Sequence, residues 1–308
     1  MKIVFLDAAT LGTTSLEPIK ALGDLVTYPV SSYDEALERV SEAEVLIINK
    51  VNVTAEMMDR APRLKLICES ATGVNNIDLK AAEQRGIPVR NVAGYSTDAV
   101  VQVTFTQILS MMGDMERFDR EVKDGSYSRS GLFTDVSSPF SELAGKTIGI
   151  IGMGNIGSKV ASVAKAFGME VIYYSTSGTA HCTDHPCVSL PELLGMADIV
   201  SIHAPLNERT KGLISIDELK MMKPTSLIIN VARGGIVIEK DLAEAVGNGT
   251  IAGAAVDVFT QEPLPLDHPF LHCSRPERLR LTPHIAWASS EALDRLVAGV
   301  ADNIRKSL

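Results

Sequence analysis

Short apolar runs alternate with segments of helical spacing in the first third of the chain. Runs rich in Val, Ile and Leu occupy residues 2–6, 44–48, 64–68 and 89–92. Amphipathic segments lie between them, for example at residues 33–43 and 55–60. This alternation is typical of parallel strands that are joined by crossover helices. It predicts a first α/β domain of about 95 residues.

The same alternation returns in the second half of the chain. Strand-like runs occupy residues 171–174, 199–203, 226–231 and 251–258. Helical segments occupy residues 191–196, 216–222 and 241–246. This half is therefore predicted to form a second, doubly wound domain with a parallel sheet.

Three further segments have their own expected roles. Residues 96–118 form a long, mostly apolar helical stretch with a cap at Ser96 or Thr97. Its apolar positions are too dense for a helix with one face in water, so we expect it to bridge the two domains and pack on a second subunit. Residues 125–143 form either a dimer arm or a mobile loop. Residues 288–306 form a closing helix that packs back onto the first domain.

The second domain opens with a glycine-rich turn that follows an apolar run and leads into a helical stretch. This is the context that a dinucleotide-binding fingerprint requires. In order, Gly152, Gly154 and Gly157 suit a tight turn, close approach to a pyrophosphate, and close packing of helix on strand. The pyrophosphate would bind the amides of Asn155 and Ile156 at the positive end of the helix. A purely structural turn is possible as well, but the flanking segments favour a bound dinucleotide.

Composition narrows the class of protein. The 308 residues have room for two domains, and 45% hydrophobic with 22% charged residues is typical of an ordered globular protein. A net charge of −9 argues against nucleic acid or an anionic membrane surface as the main partner. Asp7 interrupts the first apolar run too early for a signal peptide, and no run approaches the roughly 18 apolar residues of a membrane helix. Four cysteines in a chain of this length are too few for a disulfide framework, so we expect reduced thiols in a cytoplasm. They are Cys68, Cys182, Cys187 and Cys273.

Polar side chains with catalytic potential follow three strand-like or turn-like segments in the second half. They are Arg233, Glu262 and His284. Ligands of open α/β sheets bind outside the carboxyl ends of the strands, so this placement suits a site. Spacing alone cannot bring the three together. Each also has an ordinary interpretation: an exposed arginine, a loop glutamate before proline, and a partly buried histidine.

In the first domain, the turn at Thr72 and Gly73 follows a buried-looking strand. Its small residues leave backbone amides approachable for a carboxylate. An ordinary strand-to-helix turn, with Asp78 near the helix cap, is the simpler explanation on the residues alone.

Together these segments resemble the D-isomer-specific 2-hydroxyacid dehydrogenases over nearly the whole chain. The resemblance rests on the Thr72–Gly73 turn, the glycine fingerprint, the HAPLNERT segment at 203–210, and the arginine, glutamate and histidine segments in family order. It implies an α/β fold of two Rossmann-like, doubly wound domains with parallel sheets and an active-site cleft between them. A substrate-binding domain would comprise residues 1–97 and 285–308, and a dinucleotide-binding domain residues 98–284. The family also implies a homodimer.

The resemblance implies a role for each polar candidate. Arg233 would bind the substrate's carboxylate and carbonyl oxygen, and the amides of Thr72 and Gly73 would hold the other side of the carboxylate. His284 would be the acid–base, kept charged and oriented by Glu262. The residues implied at the cofactor are Thr104, Gly152, Gly154, Asn155, Ile156, Gly157, Ser175, Ala204, Pro205, Thr210, Val231, Ala232, Asp257, His284 and Ala286.

The chemistry needs these residue types. Hydride addition to a 2-oxo acid leaves an alkoxide, so a proton donor must lie beside it. A neighbouring carboxylate favours the charged form of histidine. The planar fork of arginine matches a carboxylate bidentately, which lysine cannot do.

One position departs from the usual family pattern. In the family, the strand at 171–174 is normally followed by an acid that binds the ribose of NAD, but here Ser175 follows. No arginine follows to indicate NADP, and we expect no guanidinium nearby to attract its 2′-phosphate. We therefore expect NAD or NADP as cofactor, because the acid that repels the 2′-phosphate of NADP is missing. Downstream lie His181, Cys182, His185 and Cys187. Their spacing fits no standard zinc template, so we expect a variable loop and no metal.

The segment Tyr95–Thr97 and Trp287 resemble the glycerate dehydrogenase (hydroxypyruvate reductase) branch of the family. We therefore expect an oxidoreductase that transfers a hydride between NAD(P)H and a small 2-oxo acid. Hydroxypyruvate, with D-glycerate as its product, is the first choice and pyruvate, the substrate of a D-lactate dehydrogenase, the second. A D-3-phosphoglycerate dehydrogenase and a non-catalytic NADH-binding sensor or corepressor stay open too, although the presence of all three catalytic residues favours an enzyme.

Overall fold

The computed structural model describes residues 1–180 and 182–308 and divides the chain into two compact units. Unit 1 comprises Met1–Ser96 and Ala288–Leu308, and unit 2 comprises Thr97–Trp287. The sequence had placed the first boundary after residue 97 and the second before residue 285. The observed boundaries therefore lie one and three residues away from the predicted ones.

Unit 1 is built on a five-stranded parallel sheet. Its strands are β1 (Lys2–Phe5), β2 (Asp24–Thr27), β3 (Val45–Ile48), β4 (Leu66–Glu69) and β5 (Val89–Arg90), in the order β2-β1-β3-β4-β5. Its helices are α1 (Glu17–Lys20), α2 (Tyr33–Arg39), α3 (Ala55–Asp59), α4 (Leu79–Gln84) and the C-terminal α12 (Ser290–Ser307). Helices α2, α3 and α4 contribute to one apolar core, and α12 packs on β4 and α1. Strands β3 and β4 are buried at every position, as expected for a parallel sheet between helices.

Local sequence explains where several helices of unit 1 begin. Ser32 and Glu35 form a capping box at α2, and the side chains of Thr54 and Asp78 cap α3 and α4. Strand β2 was not predicted. It lies at the edge of the sheet, and its side chains are exposed or half-buried. An edge strand needs few apolar residues, so its apolar run is too short to be recognised as a strand in the sequence.

Unit 2 contains a six-stranded parallel sheet. Its strands are β6 (Thr147–Ile151), β7 (Glu170–Tyr174), β8 (Ile199–Ile202), β9 (Leu227–Asn230), β10 (Gly253–Val256) and β11 (Leu279–Leu281), in the order β11-β10-β9-β8-β6-β7. Its helices are α5 (Thr97–Gly113), α6 (Met115–Lys123), α7 (Ser126–Ser130), α8 (Asn155–Ala166), α9 (Leu190–Met196), α10 (Ile216–Met221) and α11 (Glu239–Gly247). Helices α5 and α8 build the core on one face of the sheet, and α9, α10 and α11 build the core on the other. The predicted doubly wound α/β architecture is confirmed in both units.

The prediction of one continuous helix over residues 96–118 is wrong in one respect, because the helix is interrupted. Helix α5 ends at Gly113, and Asp114 adopts a left-handed backbone with a φ of 49° before α6 begins. Aspartate tolerates this conformation because its short side chain can bond locally. Here the carboxylate accepts a hydrogen bond from Arg117 at 2.7 Å.

The segment 125–143 contains the short helix α7 as well as loop. None of the helices in the described part of the chain combines the length and the apolar character that a membrane crossing requires.

Unit 1 buries a carboxyl group at the carboxyl end of a central strand. This group belongs to Glu69, the last residue of β4, which is fully buried. Burial, with a smaller contribution from the negative charge of Asp7, raises the pKa of Glu69 to about 9. In the folded protein the side chain is therefore protonated at neutral pH.

We predict that Glu69 makes the protein less stable as the pH rises from about 5 to about 8. Above the ordinary glutamate pKa of 4.5 the unfolded chain loses this proton, whereas the folded chain keeps it up to about 9. The folded state then binds the additional proton, so the free energy of unfolding decreases with pH. In Glu69→Gln this loss should disappear, and urea unfolding at both pH values measures it. The exposed Glu38→Gln serves as control, and an equal pH dependence in Glu69→Gln and the parent would contradict the prediction.

Candidate active site

Strand β6 leads into the glycine fingerprint, and α8 begins directly after it. A Cβ on Gly157 would lie 2.2 Å from the carbonyl oxygen of Gly152, and Gly152 itself has a φ of +95°. Both positions require glycine for the fold alone. Gly154 is different, because its φ is −83° and a Cβ there would meet no atom within 4 Å. No side chain caps α8, so the amides of Asn155 and Ile156 suit an anion, and the turn fits a dinucleotide pyrophosphate.

The fingerprint lies at the topological switch point of the sheet. Strand β8 pairs with β6 although β7 separates them in the sequence, and open α/β sheets bind ligands at such a point. A Cβ on Gly152 would lie 2.9 Å from the amide nitrogen of Ala204, so the segment after β8 packs against the fingerprint. Burial lowers the pKa of His203 to about 3, which keeps this imidazole neutral. The segment that contains the predicted cofactor residues Ala204 and Pro205 thus lies directly beside the glycine turn.

Arg233 lies in a loop that follows β9. The side chain of Asn230 accepts a hydrogen bond from the amide of Ala232 at 3.2 Å and donates one to the carbonyl of Arg233 at 3.0 Å. The half-buried guanidinium donates from Nη1 to the carbonyl of Ala232 at 2.7 Å, and further N–H groups remain for a ligand. A Cβ on Gly234 would lie 2.1 Å from the carbonyl of Phe259. The arginine loop therefore packs directly on the loop after β10.

The loops after β10 and β11 bring the predicted acid–base pair together. Nδ1 of His284 lies 2.9 Å and 2.7 Å from the two carboxylate oxygens of Glu262. The amide of Phe259 donates to the same carboxylate at 3.0 Å, which fixes its position. Because an ionised carboxylate only accepts, Nδ1 carries the proton and Nε2 is left for the reacting group. The two side chains are 23% and 27% exposed, so both can be reached by a ligand.

The backbone of His284 adopts a conformation that few residues other than glycine take, with a φ of 54°. The carboxylate of Asp257 stabilises this segment. It accepts hydrogen bonds from the hydroxyl of Thr282 and the amides of Ile285 and Ala286, at 2.5, 2.9 and 2.9 Å. Asp257 is 1% exposed, so this clamp lies in a buried environment. Its role at the cofactor, which the family resemblance implies, stays a prediction.

Two residues to which the sequence did not point hold the Glu262 loop. Glu239, at the start of α11, accepts a hydrogen bond from the amide of Thr260 at 2.6 Å and lies 3.0 Å from Nε2 of His268. Nδ1 of His268 accepts from the amide of Phe270 at 3.2 Å, so its Nε2 is the nitrogen that donates to Glu239. An acidic residue at the start of a helix is common, so the sequence contained only a weak signal.

Other predicted cofactor residues have structural contacts of their own. Thr104 is fully buried in α5 and donates to the carbonyl of Val100 at 2.7 Å. Thr210 is also buried, and its hydroxyl donates to the carbonyl of Pro205 at 2.6 Å. Three more of the predicted cofactor residues have low or intermediate exposure, namely Val231, Ala232 and Ala286. Their roles at the cofactor stay predictions.

Thr72 and Gly73 lie in unit 1, in the turn after β4. The hydroxyl of Thr72 donates to the carbonyl of Val92 at 3.2 Å. Asp78 accepts from the amide of Ala81 at 2.9 Å and caps α4, as the ordinary interpretation of this turn expects. The substrate role of Thr72 and Gly73 stays a prediction.

Ser175 follows β7, and its hydroxyl lies 3.0 Å from that of Ser177. The expectation that no guanidinium lies nearby is wrong. Arg209, from the segment after β8, donates from Nη1 to the carbonyl of Ser177 at 2.6 Å. The two residues are 32 positions apart, and only the strand order brings their segments together.

In the described ranges 1–180 and 182–308, no group of three or more His, Cys, Asp or Glu side chains is placed to hold a metal ion. His181 lies outside the described residues, so the expectation for its loop stays a prediction. Cys182 and Cys187 have structural contacts there: the hydroxyl of Tyr173 donates to the carbonyl of Cys182 at 3.0 Å, and Tyr173 forms an isolated parallel bridge with Cys187.

Comparison with known proteins identifies the family. Residues 105–286 match the family model described as D-isomer specific 2-hydroxyacid dehydrogenase, NAD binding domain. The chain is 35% identical to a glycerate dehydrogenase of Methylorubrum extorquens, over 98% of this chain and 95% of that protein. It is 31% identical to a hydroxypyruvate reductase of Blautia hydrogenotrophica, over 100% of this chain and 97% of that protein.

Two solved structures are similar over nearly their whole length. One is D-lactate dehydrogenase from Aquifex aeolicus with NAD and lactic acid, with a TM-score of 0.84, 28% identity, and coverage of 98% of this chain and 94% of that chain. The other is an acyclic imino acid reductase with NADPH and D-Arg, with a TM-score of 0.87, 29% identity, and coverage of 99% and 96%.

The chain belongs to the D-isomer-specific 2-hydroxyacid dehydrogenase family. It is an oxidoreductase that acts on the CH–OH group of a 2-hydroxy acid and uses NAD or NADP.

We predict that Gly154→Ala weakens dinucleotide binding without destabilising the fold. The new methyl group meets no protein atom within 4 Å but would intrude on a pyrophosphate at the start of α8. The Kd for NADH and NADPH should rise by about tenfold or more, and the thermal midpoint should stay within about 2 °C of the parent's. Fluorescence titration and calorimetry measure the two quantities.

Gly157→Ala is the matched comparison within the same turn. It should lower the thermal midpoint, because its Cβ would lie 2.2 Å from a carbonyl oxygen. Parental cofactor affinity in Gly154→Ala would mean that the turn has no role in pyrophosphate binding.

Proposed function

We propose that this enzyme reduces hydroxypyruvate to D-glycerate with NADH or NADPH. The observation that carries this proposal is the hydrogen-bonded His284–Glu262 pair. The loop of Glu262 packs on the loop of Arg233. A 2-oxo acid needs both a proton donor and a group that binds its carboxylate, and these loops supply a candidate for each. The names of the glycerate dehydrogenase and hydroxypyruvate reductase relatives support the choice of substrate. Pyruvate is the second candidate, supported by the likeness to the D-lactate dehydrogenase structure.

His284 is the proton donor in this proposal. The nicotinamide of the cofactor supplies the hydride that reduces the carbonyl carbon of the substrate. As the carbonyl oxygen gains negative charge, Nε2 of His284 donates a proton to it. Glu262 holds Nδ1–H at 2.7 Å, so it orients the ring and stabilises the charged imidazole before the transfer. In the direction of oxidation, Nε2 accepts the proton from the hydroxyl of the 2-hydroxy acid.

Arg233 binds the substrate carboxylate in this proposal. Its guanidinium is half-buried, and the bond to the carbonyl of Ala232 restricts the orientation of the fork. A fixed planar fork loses less conformational entropy on binding a carboxylate than a flexible ammonium group would. A role for Thr72 and Gly73 in substrate binding, and a division of the chain into a substrate-binding unit 1 and a dinucleotide-binding unit 2, rest on the family resemblance.

A panel of 2-oxo acids tests the substrate. Hydroxypyruvate, glyoxylate, pyruvate and 2-oxoisocaproate would each be assayed with NADH and with NADPH. Hydroxypyruvate should give the highest kcat/KM. A preference for pyruvate would support the second candidate, and a preference for 2-oxoisocaproate would overturn both.

Substitution of each proposed catalytic residue should have its own kinetic effect. His284→Ala should lower kcat by about 10²–10⁴-fold, the usual contribution of general acid catalysis. Arg233→Lys should also lower kcat/KM severely, since the charge stays but the fork is lost. In Glu262→Gln, an amide oxygen can still accept from Nδ1–H, but the charge-assisted hydrogen bond that holds the ring is lost. The value of kcat should therefore fall, though by less than in His284→Ala.

Steady-state measurement of kcat tests this partnership. His272→Ala, which removes an exposed histidine, serves as the control and should behave as the parent. An equal kcat in Glu262→Gln and the parent would show that Glu262 does not assist His284.

We also propose that the enzyme is a homodimer. Four apolar side chains between residues 132 and 140 are 59–91% exposed, namely Leu132, Phe133, Val136 and Phe140. Arg117 holds this arm in place, because it donates to the carbonyl of Ser138 at 2.7 Å and pairs with Asp135 at 3.2 Å. An ordered apolar arm is typical of a surface that a second copy covers.

Sedimentation equilibrium measures this association. Phe133→Asp with Val136→Asp should convert the dimer to monomer, because each change places a charge in the apolar contact. Leu266→Asp is the matched control, since Leu266 is 90% exposed and Phe133 is 91% exposed. A monomeric parent, or a dimer that survives the double change, would contradict the proposal.

A cytoplasmic location is proposed as well. All four cysteines are free, which suits a reducing compartment. Fractionation of cells that express the protein tests this location.

A further inference from the structure

Three hydroxyl side chains gather in the turn after β7, where an NAD-specific relative has an acid. Ser175 Oγ lies 3.0 Å from Ser177 Oγ, and Ser177 Oγ lies 3.4 Å from Thr179 Oγ1. Both serine hydroxyls also donate to the carbonyl of Thr179. Gly178 makes the turn possible with a φ of +85°. Each hydroxyl has a single O–H, so a serine becomes a neutral donor to an anion when its O–H rotates away from the carbonyl of Thr179.

Arg209 places a positive charge against this turn. Its Nη1 donates to the carbonyl of Ser177 at 2.6 Å and lies 3.1 Å from the position that a Cβ on Gly178 would take. The backbone of Arg209 is held as well, because its amide donates to Oδ1 of Asn207 at 2.9 Å. A guanidinium has five N–H donors, so the bond to Ser177 leaves others for a ligand.

We propose that Arg209 and the hydroxyls of Ser175, Ser177 and Thr179 bind the 2′-phosphate of NADP, and that the enzyme therefore prefers NADPH to NADH. Arginine matches the oxygen atoms of a phosphate with two parallel N–H groups. The phosphate is attracted here, whereas the acid of an NAD-specific site would repel it. The proposal rests on dinucleotide binding by unit 2, as in the proposed function, but not on which 2-oxo acid is reduced.

The site lies on the surface, which limits the size of the effect. Ser177, Thr179 and Arg209 are exposed, and Ser175 is half-buried. Water and salt screen charges at such a position, so we expect a preference of about tenfold, far below that of a buried site.

Two adenosine nucleotides test the site without any catalysis. Adenosine 2′,5′-bisphosphate and adenosine 5′-monophosphate differ only in the 2′-phosphate, and isothermal titration gives the affinity of each. The parent should bind the bisphosphate about tenfold more tightly, and added salt should reduce this preference. Arg209→Gln should remove most of the preference and leave the affinity for the monophosphate unchanged. Ser175→Asp should weaken binding of the bisphosphate by about tenfold or more, because the new carboxylate repels the 2′-phosphate.

Lys211→Gln is the matched control, since it removes one positive charge from an exposed residue of the same segment. It should keep the parent's preference. If Lys211→Gln lost as much of the preference for the bisphosphate as Arg209→Gln, the specific role of Arg209 would be overturned. Equal affinity of the parent for the two nucleotides would overturn it as well. A parent that binds the bisphosphate preferentially but does not reduce hydroxypyruvate would overturn the proposed substrate and leave this site intact.

Discussion

The buried carboxylate of Asp257 fixes the geometry on which the catalytic segment depends. It accepts hydrogen bonds from Thr282, Ile285 and Ala286, which lie on both sides of His284 in the sequence. The segment between them must turn sharply, and His284 takes the left-handed φ of 54° as a result. Such a conformation persists only where its surroundings over-determine it. Because two of the donors are backbone amides, the position of the imidazole depends on contacts that, at 285 and 286, only proline would remove.

A second constraint is the order of strands in unit 2. Strands β9, β10 and β11 are neighbours and run parallel, so their carboxyl ends meet at one edge of the sheet. The loop after each strand contributes one of the three catalytic candidates. Close backbone contact at Gly234 joins the first loop to the second, and the Glu262–His284 pair joins the second to the third. Glu239 and His268 support the middle loop from α11 and from the segment that follows. The site is therefore a set of mutually braced loops on a rigid sheet.

The same sheet order brings together the residues of the proposed 2′-phosphate site. Strand β6 lies between β7 and β8, and the segments that follow these two strands meet at the turn of Ser175 and Ser177. The charge at this site is therefore decided by two segments and not by the residue after β7 alone. A neutral residue after β7 removes a repulsion, and Arg209 adds an attraction. In the proposed 2′-phosphate site, the deciding charge thus comes from a position that lies outside the fingerprint and its strand.

The sequence by itself determined the features that local physics encodes. The alternation of apolar runs and helical segments predicted two parallel α/β units, because strand and helix periods are visible within a few residues. The glycine turn was recognised because its flanks identify a strand and a helix. The catalytic candidates and Ser175 were recognised through the family resemblance, not through spacing.

The tertiary structure alone decided the contacts between distant segments. Strands β2 and β11 were missed because short strands at the edges of a sheet need little apolar sequence. The break at Asp114 is a local feature, accompanied by a side-chain bond from Arg117 that a count of apolar positions does not contain. Arg209 meets Ser177 across 32 residues and Glu239 meets His268 across 29. Such pairs follow from which strands are neighbours and from how their loops pack, and periodicity within one segment carries no information about either.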